Sequence, residues 1–406
     1  MADAAVKPSP ITPSTRIELE LGIKHAFSPH APIDRLAFFS GRIQQIRAVT
    51  DAVTTPGLHA IVYGERGVGK TSLTNLIKEI LEVVEGLSRV NCTQTDTFSS
   101  IIRQALDGLA MTMPRKVAGF HPQVDSMRAN AAQMLAPGRV SADRVANLLS
   151  ALPAYVVLVI DEFDRLPRQA AAPFADLIKA LSDRGSRVTI VLVGVAEDIN
   201  DLVADHASVE RNLRQIRLPR MSDIELDAII TKGLERLPFS FESDETRRRI
   251  VAISQGFPHY THLLAQNAAR AALDAERTTV ITDADAIAGM IAAVKDAQTQ
   301  RERYYKAITG TRKRNLWREV VVACALSESD DRGFFSSHSV QERLSDILGR
   351  PVIQQTVAFH LGKLIEASRG PLLERTGPER RYRYRFIDPL MRPFVLMKAA
   401  ADGMGV

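Results

Sequence analysis

Two short segments of the chain combine the residue types that proteins use to hold phosphates and metal ions. The first, Gly64-Glu65-Arg66-Gly67-Val68-Gly69-Lys70-Thr71, has the form G-x-x-x-x-G-K-T and is followed by Ser72. Such glycines let backbone amides surround phosphate oxygens, the lysine reaches the β- and γ-phosphates, and the threonine hydroxyl binds Mg²⁺. We therefore predict that residues 64–72 bind ATP or ADP with Mg²⁺, with Lys70 also acting in catalysis.

The second segment is an acidic pair at the end of the apolar run YVVLVIDE (Tyr155–Glu162). Ligands of open α/β sheets bind beyond the carboxyl ends of the strands, which places such carboxylates beside the phosphates. We predict that Asp161 and Thr71 are the metal ligands and that Glu162 polarises the water that attacks the γ-phosphate. Acidic pairs at strand ends are often only structural, and the upstream glycine loop favours the catalytic interpretation here.

The elements around these motifs predict an α/β core with a parallel sheet. HAIVYG (His59–Gly64) and RVTIVLVG (Arg187–Gly194) are apolar runs like Tyr155–Glu162, and helical periodicity covers Ser72–Glu85 and Pro173–Arg184. Strands that are apolar on both faces and alternate with helices indicate a sheet covered on two sides. Residues 88–152 are predicted to be mostly helical.

The remainder of the chain predicts two further domains. From Met221 the segments are helical, including Ser222–Leu237, where Ser222 and Glu225 form a capping-box pattern, and Pro258–Arg277. From about residue 301, three helical segments precede a hairpin pattern, which favours a winged helix-turn-helix. The predicted boundaries are a disordered tail at 1–24, an α/β core at 25–219, an all-α lid at 220–300 and a winged helix at 301–400.

The composition argues against a fibrous or disordered protein, a disulfide-rich or zinc-binding protein and a membrane protein. Of the 406 residues, 45% are hydrophobic and 24% are charged, and the two cysteines, Cys92 and Cys324, stand in no metal-binding or disulfide pattern. No apolar run reaches the ~18 residues that a membrane helix needs. We expect a cytoplasmic protein with no membrane partner.

Positive charge is concentrated at the C-terminal end. Residues 296–406 contain 19 basic and 13 acidic residues, a net charge of +6, whereas the rest of the chain has a net charge of −1. In ERRYRYRF, alternation would place Arg381, Arg383 and Arg385 on one face of a strand and Tyr382, Tyr384 and Phe386 on the other. The preceding helix would present base-contacting side chains, which are Gln354, Gln355, His360 and Lys363.

These features predict that the winged helix binds double-stranded DNA, with Gln355, Lys363 and the three arginines as contacts. The alternative, which the sequence leaves open, is that this domain contacts its own chain or a partner protein.

Taken together, the glycine loop, the Asp-Glu pair, the helical segments and the C-terminal helices and hairpin resemble AAA+ ATPases. The resemblance is to the origin-recognition and cell-division-control initiators over roughly residues 25 to 397, and the architecture is also similar to STAND switch ATPases. It implies an ATP hydrolase that associates with itself through nucleotide interfaces. In HASVERNLRQIRLPRMS it implies a catalytic arginine finger acting on a neighbouring subunit, Arg211 first and Arg214 second, and exposed surface arginines are the alternative.

Three segments depart from the initiator pattern or match it only in part. Gly194-Val195-Ala196 stands where a polar sensor residue is usual, and His259, in Gly256-Phe257-Pro258-His259, replaces an expected arginine. The Gly-x-Pro form is similar to STAND ATPases, and His259 would either bind the nucleotide phosphates or cap its helix. Pro32-Ile33 and Gly41-Arg42 resemble the segment that closes over adenine.

Two functions follow from the resemblance. One is a slowly hydrolysing, ATP-dependent switch that assembles on DNA in the manner of an initiator or a transposition helper. The other is a STAND-type regulatory or defence ATPase whose winged helix contacts protein. Either version admits an effector protein, a nuclease or a transposase, as a further partner.

Overall fold

The computed structural model describes residues 12–29, 41–116, 124–135, 138, 140–152, 154–196, 210–309, 315–379 and 381–404. The strands are β1 His59–Gly64, β2 Val84–Asn91, β3 Ala110–Lys116, β4 Val124–Asn130, β5 Tyr155–Asp161, β6 Val188–Val195, β7 Leu213–Arg217, β8 Ser240–Phe241, β9 Val280–Ile281, β10 Phe335–Ser336, β11 Leu373–Thr376 and β12 Arg383–Phe386. The helices are α1 Pro13–Ala26, α2 Ile43–Thr54, α3 Lys70–Asn75, α4 Ile77–Ile80, α5 Phe98–Asp107, α6 Ala142–Ser150, α7 Arg168–Asp183, α8 Asp223–Leu234, α9 Asp244–Ser254, α10 Pro258–Asp274, α11 Asp283–Asp296, α12 Gln298–Ile308, α13 Trp317–Leu326, α14 Ser337–Leu348, α15 Gln354–Ile365 and α16 Met391–Ala401.

The chain divides into two compact units. The sheet unit contains Pro32–Glu65 and Gly69–Pro219, and the helical unit contains Met1–Ala31, Arg66–Val68 and Arg220–Val406. No helix among the described residues is both long and apolar enough to cross a membrane.

A five-stranded parallel sheet forms the centre of the sheet unit, in the order β2-β5-β6-β1-β7. β6 is the central strand, and β1 lies between β6 and the edge strand β7, pairing with β6 from Ala60↔Val191 to Gly64↔Val195. β1, β5 and β6 are almost entirely buried, because apolar side chains cover both of their faces. The predicted parallel α/β core is confirmed, and the carboxyl ends of β1 and β5 meet at one edge of the sheet.

Two predictions about secondary structure in this unit are wrong. The helix expected over Ser72–Glu85 ends at Ile80, and Val84 begins β2, which pairs with β5 through Val84↔Tyr155. The region 88–152 is not mostly helical, since it contains the rest of β2 and the antiparallel β3–β4 hairpin. Pairing with a neighbouring strand overrides local helical periodicity in β2, and Pro114 disfavours a helix in β3.

Two helix predictions also need correction. Helix α7 begins at Arg168 and carries Pro173 inside it, whereas the sequence prediction began the helix at that proline. The predicted disordered tail at 1–24 contains most of α1, which has a Thr12 cap and a proline in its first turn. Ile23 of α1 is fully buried, and this tertiary burial orders a segment whose composition indicated disorder.

In the helical unit, α8 has the predicted capping box between Ser222 and Glu225. Helix α10 is buried along most of its length. The expectation of an all-helical region is wrong in one detail, because β8 and β9 form a small parallel sheet with Ser240↔Val280 and Phe241↔Ile281.

The C-terminal part of this unit contains the elements that the sequence predicted there. Helices α13, α14 and α15 precede the β11–β12 hairpin, and β10 extends the hairpin to a three-stranded sheet in the order β10-β12-β11. Phe335, Tyr384 and Phe386 pack together from this sheet. The sheet strands are antiparallel.

Candidate nucleotide and metal site

The glycine loop connects β1 to α3 at the carboxyl edge of the parallel sheet. Gly67 and Gly69 adopt positive φ angles of 88° and 96°, a backbone conformation that favours glycine. The Lys70 side chain is 9% exposed, and its Nζ donates to the carbonyl oxygens of Gly64 at 2.9 Å and Glu65 at 2.7 Å. The lysine ammonium is therefore held over the loop, in the region where the motif predicts phosphates.

Thr71 and Asp161 meet across the end of the sheet. The Thr71 hydroxyl donates to Asp161 Oδ2 at 3.0 Å, and Asp161 is only 4% exposed. The structure thus brings together the two residues that were predicted as metal ligands. While the hydroxyl hydrogen contacts Asp161, the oxygen lone pairs of Thr71 stay available for a cation.

Asp161 receives two further hydrogen-bond donors. The Arg89 guanidinium forms an ion pair with Oδ2 from β2, and the Glu162 backbone amide donates to Oδ1 at 2.8 Å. Arg89 also donates to Asn75 Oδ1 at 2.7 Å, so it connects the end of α3 to this carboxylate. The sequence analysis missed Arg89, because it predicted residues 88–152 to be mostly helical and therefore did not place this arginine on a core strand.

Glu162 has an unusual backbone conformation for a non-glycine residue. Its φ of 55° and ψ of 36° lie in the left-handed region, and it begins the short 3₁₀ turn Phe163–Arg165. The Glu162 carboxylate is partly exposed and forms an ion pair with Arg165 at 3.0 Å. Strained backbone of this kind costs about 1–3 kcal/mol and occurs preferentially at functional sites.

Asp164, in the turn after β5, contacts the end of the neighbouring strand β6. Its Oδ1 accepts a hydrogen bond from the backbone amide of Val195 at 2.8 Å. This contact joins the turn after β5 to the end of β6, where Gly194-Val195-Ala196 replaces the expected polar sensor.

Cys92 follows β2 and is fully buried near these carboxylates. Burial, followed by the negative charges of Asp96, Asp161, Glu162 and Asp164, raises the pKa of the Cys92 thiol to about 12. A thiol protonated at neutral pH is a poor nucleophile, which disfavours covalent chemistry at this cysteine.

The donor set at this edge fits Mg²⁺. Magnesium prefers oxygen ligands and usually takes one or two from the protein, the rest coming from substrate phosphates and water. Thr71 and Asp161 supply a hydroxyl and a carboxylate oxygen. Among the described residues, no group of three or more His, Cys, Asp or Glu side chains is arranged to hold a metal by itself.

Two further predictions concern residues outside the glycine loop and the Asp-Glu pair. His259 is in α10 of the helical unit, where its Nδ1 is 2.7 Å from the carbonyl oxygen of Pro29. This contact fixes the ring against backbone, while its predicted role toward phosphates stays a prediction. In the adenine-closing segment, Gly41 and Arg42 are described, with Arg42 buried, whereas Pro32 and Ile33 lie outside the described residues.

Both arginine-finger candidates are exposed in the sheet unit. Arg211 is in the short helix Glu210–Asn212, and Arg214 is in β7, the edge strand next to β1. Their exposure agrees with the two alternatives that the sequence left open, a finger for a neighbouring subunit or ordinary surface arginines.

The predicted DNA surface is only partly as expected. Tyr384 and Phe386 are buried in β12, but the strand begins at Arg383, so Arg381 precedes it in a turn closed by a bond to the Pro378 carbonyl. Arg383 pairs with Asp330 at 2.9 Å, and Arg385 forms an ion pair with Glu374. Two of the three arginines thus already have carboxylate partners.

Helix α15 also differs from the prediction. His360 is buried, its Nδ1 lies 2.7 Å from the Thr356 carbonyl, and its ring packs on Trp317 with centroids 4.4 Å apart. The prediction that His360 reaches base edges is therefore wrong, because the ring completes the core of this region. Lys363 pairs with Glu366 at 2.8 Å, and Gln355 is exposed.

The chain was compared with known families once this geometry was defined. A family model described as Novel STAND NTPase 1 (nSTAND1) matches residues 27–358. The chain belongs to this family. The predicted resemblance to STAND ATPases is thereby confirmed for this nSTAND1 member, and the family description makes it an NTPase.

Solved structures similar to this nSTAND1 member include three archaeal proteins. The Walker-type ATPase PABY2304 of Pyrococcus abyssi has a TM-score of 0.50 and 13% identity, with 90% of this chain and 98% of that chain covered. Cdc6p from Pyrobaculum aerophilum has a TM-score of 0.49 and 15% identity, covering 94% and 99%. ORC1 of Aeropyrum pernix, solved in complex with DNA, has a TM-score of 0.47 and 16% identity, covering 94% and 97%.

The likeness to the Pyrococcus abyssi ATPase, together with the parallel sheet, shows that this nSTAND1 member has the P-loop AAA+ core fold. None of the curated proteins matches its sequence.

Proposed function

We propose that the protein is an ATP- and ADP-binding switch that hydrolyses ATP slowly and depends on Mg²⁺. The observation that carries this proposal is the hydrogen bond between Thr71 and Asp161 beside the buried ammonium of Lys70. These groups supply an oxygen ligand set for a cation and a positive charge for phosphates at one edge of the sheet.

In this proposal each residue of the site has a distinct task. Residues 64–72 surround the phosphates, Lys70 exchanges its carbonyl contacts for phosphate oxygens, and Thr71 and Asp161 hold Mg²⁺. When bound, Mg²⁺ neutralises charge between the β- and γ-phosphates. Glu162 orients and polarises the attacking water.

Slow turnover follows from two features of the described residues. The Glu162 carboxylate is paired with Arg165, which lowers its availability to a water molecule. The end of β6 presents glycine, valine and alanine instead of a polar side chain that would contact the γ-phosphate. Both features favour a protein that keeps its nucleotide bound over one that hydrolyses ATP rapidly.

Self-association would complete the site. A guanidinium from a neighbouring subunit stabilises charge in the transition state of phosphoryl transfer, and Arg211 is exposed as such a role requires. Arg214, exposed on the edge strand β7, is the second candidate. Hydrolysis would then depend on assembly, with nucleotide at the subunit interface.

For the C-terminal part we propose a winged helix that binds double-stranded DNA. Support comes from the net charge of +6 over residues 296–406 and from Arg381 and Gln355, which are exposed. Phosphate contacts of this kind give affinity that falls steeply with salt.

A specific observation favours a second candidate, in which this region contacts an effector protein such as a nuclease or a transposase. Ile353 and Phe359 at helix α15 are 65% and 58% exposed, while Arg383 and Arg385 are engaged by carboxylates. Exposed large apolar side chains are more typical of protein interfaces than of a helix that contacts base edges.

Nucleotide binding and turnover provide the first test. Titration of the full-length protein with ATP and ADP in the presence of Mg²⁺ should show saturable binding, and phosphate release from ATP should be slow. Sedimentation or size-exclusion analysis with ATP should show association that Arg211→Ala reduces. Absence of nucleotide binding would overturn the proposal.

A salt titration separates the two candidates for the C-terminal region. If DNA is the partner, the affinity for a duplex should fall linearly on a log–log plot against salt, with a slope that reports the number of phosphate contacts. Phe359→Ala should leave that slope unchanged. Absence of duplex binding at low salt would favour the protein partner.

A further inference from the structure

Arg89 is a charged side chain at the centre of the site that neither the sequence motifs nor the proposed chemistry uses. It lies on β2, immediately beside β5, and its guanidinium is shared between the Asp161 carboxylate and Asn75 Oδ1. The guanidinium therefore already neutralises the negative charge of Asp161, which is the charge that a metal ion would use.

Arg89 and the Thr71 hydroxyl contact the same oxygen of Asp161. Asp161 Oδ2 accepts from both Arg89 and the Thr71 hydroxyl, whereas Oδ1 is used by the Glu162 amide. A cation held by Thr71 and Asp161 would lie near this oxygen, where the Arg89 guanidinium already places a positive charge within hydrogen-bond distance. Two like charges so close repel each other strongly inside a protein, where screening by water is weak.

The guanidinium of Arg89 also has one N–H donor that is not used in a hydrogen bond within the described part of the chain. Among the described residues, Arg89 Nε is buried and has no hydrogen-bond partner. A buried donor that is left unpaired is costly, so a second arrangement that pairs it is favoured once an acceptor enters the site. Phosphate oxygens are suitable acceptors for an arginine fork.

We propose that Arg89 is a positioning residue that holds Asp161 when Mg²⁺ is absent and releases Oδ2 when Mg²⁺ binds. Arg89 thereby sets how strongly nucleotide binding depends on Mg²⁺. Its positive charge supports nucleotide without metal and opposes the metal in the complete complex. This inference rests on the proposed nucleotide binding and specifies its regulation.

The test measures the dissociation constant of ADP for the full-length protein in excess Mg²⁺ and in excess EDTA. The ratio of the EDTA value to the Mg²⁺ value reports the metal dependence of binding. In Arg89→Met the EDTA value should rise and the Mg²⁺ value should fall, so that the ratio increases about tenfold or more over wild type. A ratio within about twofold of wild type would overturn the inference.

Conservative variants keep the result interpretable if Arg89→Met folds poorly. Arg89→Lys retains the positive charge and should keep the ratio close to that of wild type. Asn75→Ala removes the 2.7 Å hydrogen bond that anchors the guanidinium but keeps its charge. Because the guanidinium is then held less firmly at Asp161, the ratio should shift in the same direction as in Arg89→Met, but less. An unchanged ratio in Asn75→Ala together with a changed one in Arg89→Lys would contradict a role for charge.

Arg184→Met is the matched control, because Arg184 is an exposed arginine at the end of α7 and the chemical change is the same. Its ratio should equal that of wild type. If wild-type protein binds ADP in neither buffer, the proposed function fails and the inference fails with it. If wild type binds ADP but Arg89→Met does not alter the ratio, only the inference fails.

Discussion

The Asp164 carboxylate accepts a hydrogen bond from the backbone amide of Val195, with 2.8 Å between Oδ1 and N. The two residues belong to different parts of the sheet edge, the turn after β5 and the end of β6. Since residue 194 is a glycine and residue 195 a valine, neither has a polar side chain that could connect the acidic turn to β6. The connection is instead made through the backbone, and it keeps the acidic turn in register with the neighbouring strand.

Loss of this contact should loosen the end of β6. In Asp164→Ala, the Val195 amide loses its acceptor, and we expect a decrease of about 1–2 kcal/mol in the free energy of unfolding. Hydrogen–deuterium exchange should show faster exchange in peptides containing residue 195. Asp183→Ala, at the exposed end of α7, is the control. Unchanged exchange at residue 195 in Asp164→Ala would contradict the stabilising role.

Removing the ammonium of Lys70 should abolish tight nucleotide binding. Lys70→Ala deletes the positive charge that lies over the loop, and a charge-assisted contact contributes about 1.5–3 kcal/mol, or roughly 10- to 100-fold in affinity. Calorimetric titration with ADP and Mg²⁺ measures the change. Lys78→Ala, on the exposed side of α4, should bind normally. Equal affinity in the two variants would exclude a phosphate-binding role for Lys70.

Glu162→Gln should separate binding from hydrolysis. The amide keeps the size of the side chain but cannot act as a base, so ATP affinity should stay within about threefold of wild type while turnover falls by about 10²-fold or more. Phosphate release under single-turnover conditions measures the effect. Glu85→Gln, on an exposed position of β2, makes the same chemical change outside the site. If turnover is unaltered in Glu162→Gln, another group activates the water.

The protein should become less stable as the pH falls toward 4. Burial lowers the pKa of His59 and of His262 to about 4, against an ordinary value of 6.5. Below pH 6.5 these histidines are protonated in the unfolded chain but stay neutral in the folded protein. Because the unfolded state then binds more protons, each histidine lowers the free energy of unfolding by up to about 3 kcal/mol between pH 6.5 and 4. Above pH 6.5 both histidines are neutral in the folded and the unfolded state, so their titration should not change the stability.

A variant of His262 tests the acid effect in the helical unit. Neither ring nitrogen of His262 has a hydrogen-bond partner among the described residues, and the ring packs edge-on against Phe27. His262→Leu should therefore flatten the pH dependence with little loss of stability at pH 7. Fluorescence of Trp317, the single tryptophan, reports unfolding of this unit. A pH dependence identical to that of wild type would assign the effect to other groups.

The arginines of the C-terminal hairpin should differ in what they contribute. Arg381→Ala should weaken binding to duplex DNA and reduce the salt slope by about one, with stability unaffected. Arg385→Ala should lower the stability, because Arg385 pairs with Glu374 and lies over the Phe334 ring at 4.5 Å. Thermal unfolding and a DNA salt titration measure the two effects. If Arg381→Ala and Arg385→Ala lowered the stability equally, the assignment of DNA binding to Arg381 and of stability to Arg385 would be contradicted.

The site could be predicted from sequence where a local motif specifies it, and not where contacts depend on tertiary structure. The loop at 64–72 and the pair Asp161-Glu162 are recognisable because their spacing is dictated by phosphate and metal chemistry. Arg89 was missed because its role depends on β2 lying beside β5. His360 was misjudged for a similar reason, since the helical pattern of α15 does not reveal that Trp317 covers one of its faces.

The order of the parallel sheet has a consequence for how the chain folds during synthesis. β1 is an interior strand, but both of its neighbours, β6 and β7, are distant in sequence, and the Ile190 amide donates to the His59 ring across 131 residues. At a translation rate of about 5–20 residues per second, β1 leaves the ribosome on the order of 10 s before its partners exist. The phosphate loop, which is attached to β1, therefore acquires its final geometry only after residues up to 217 have emerged.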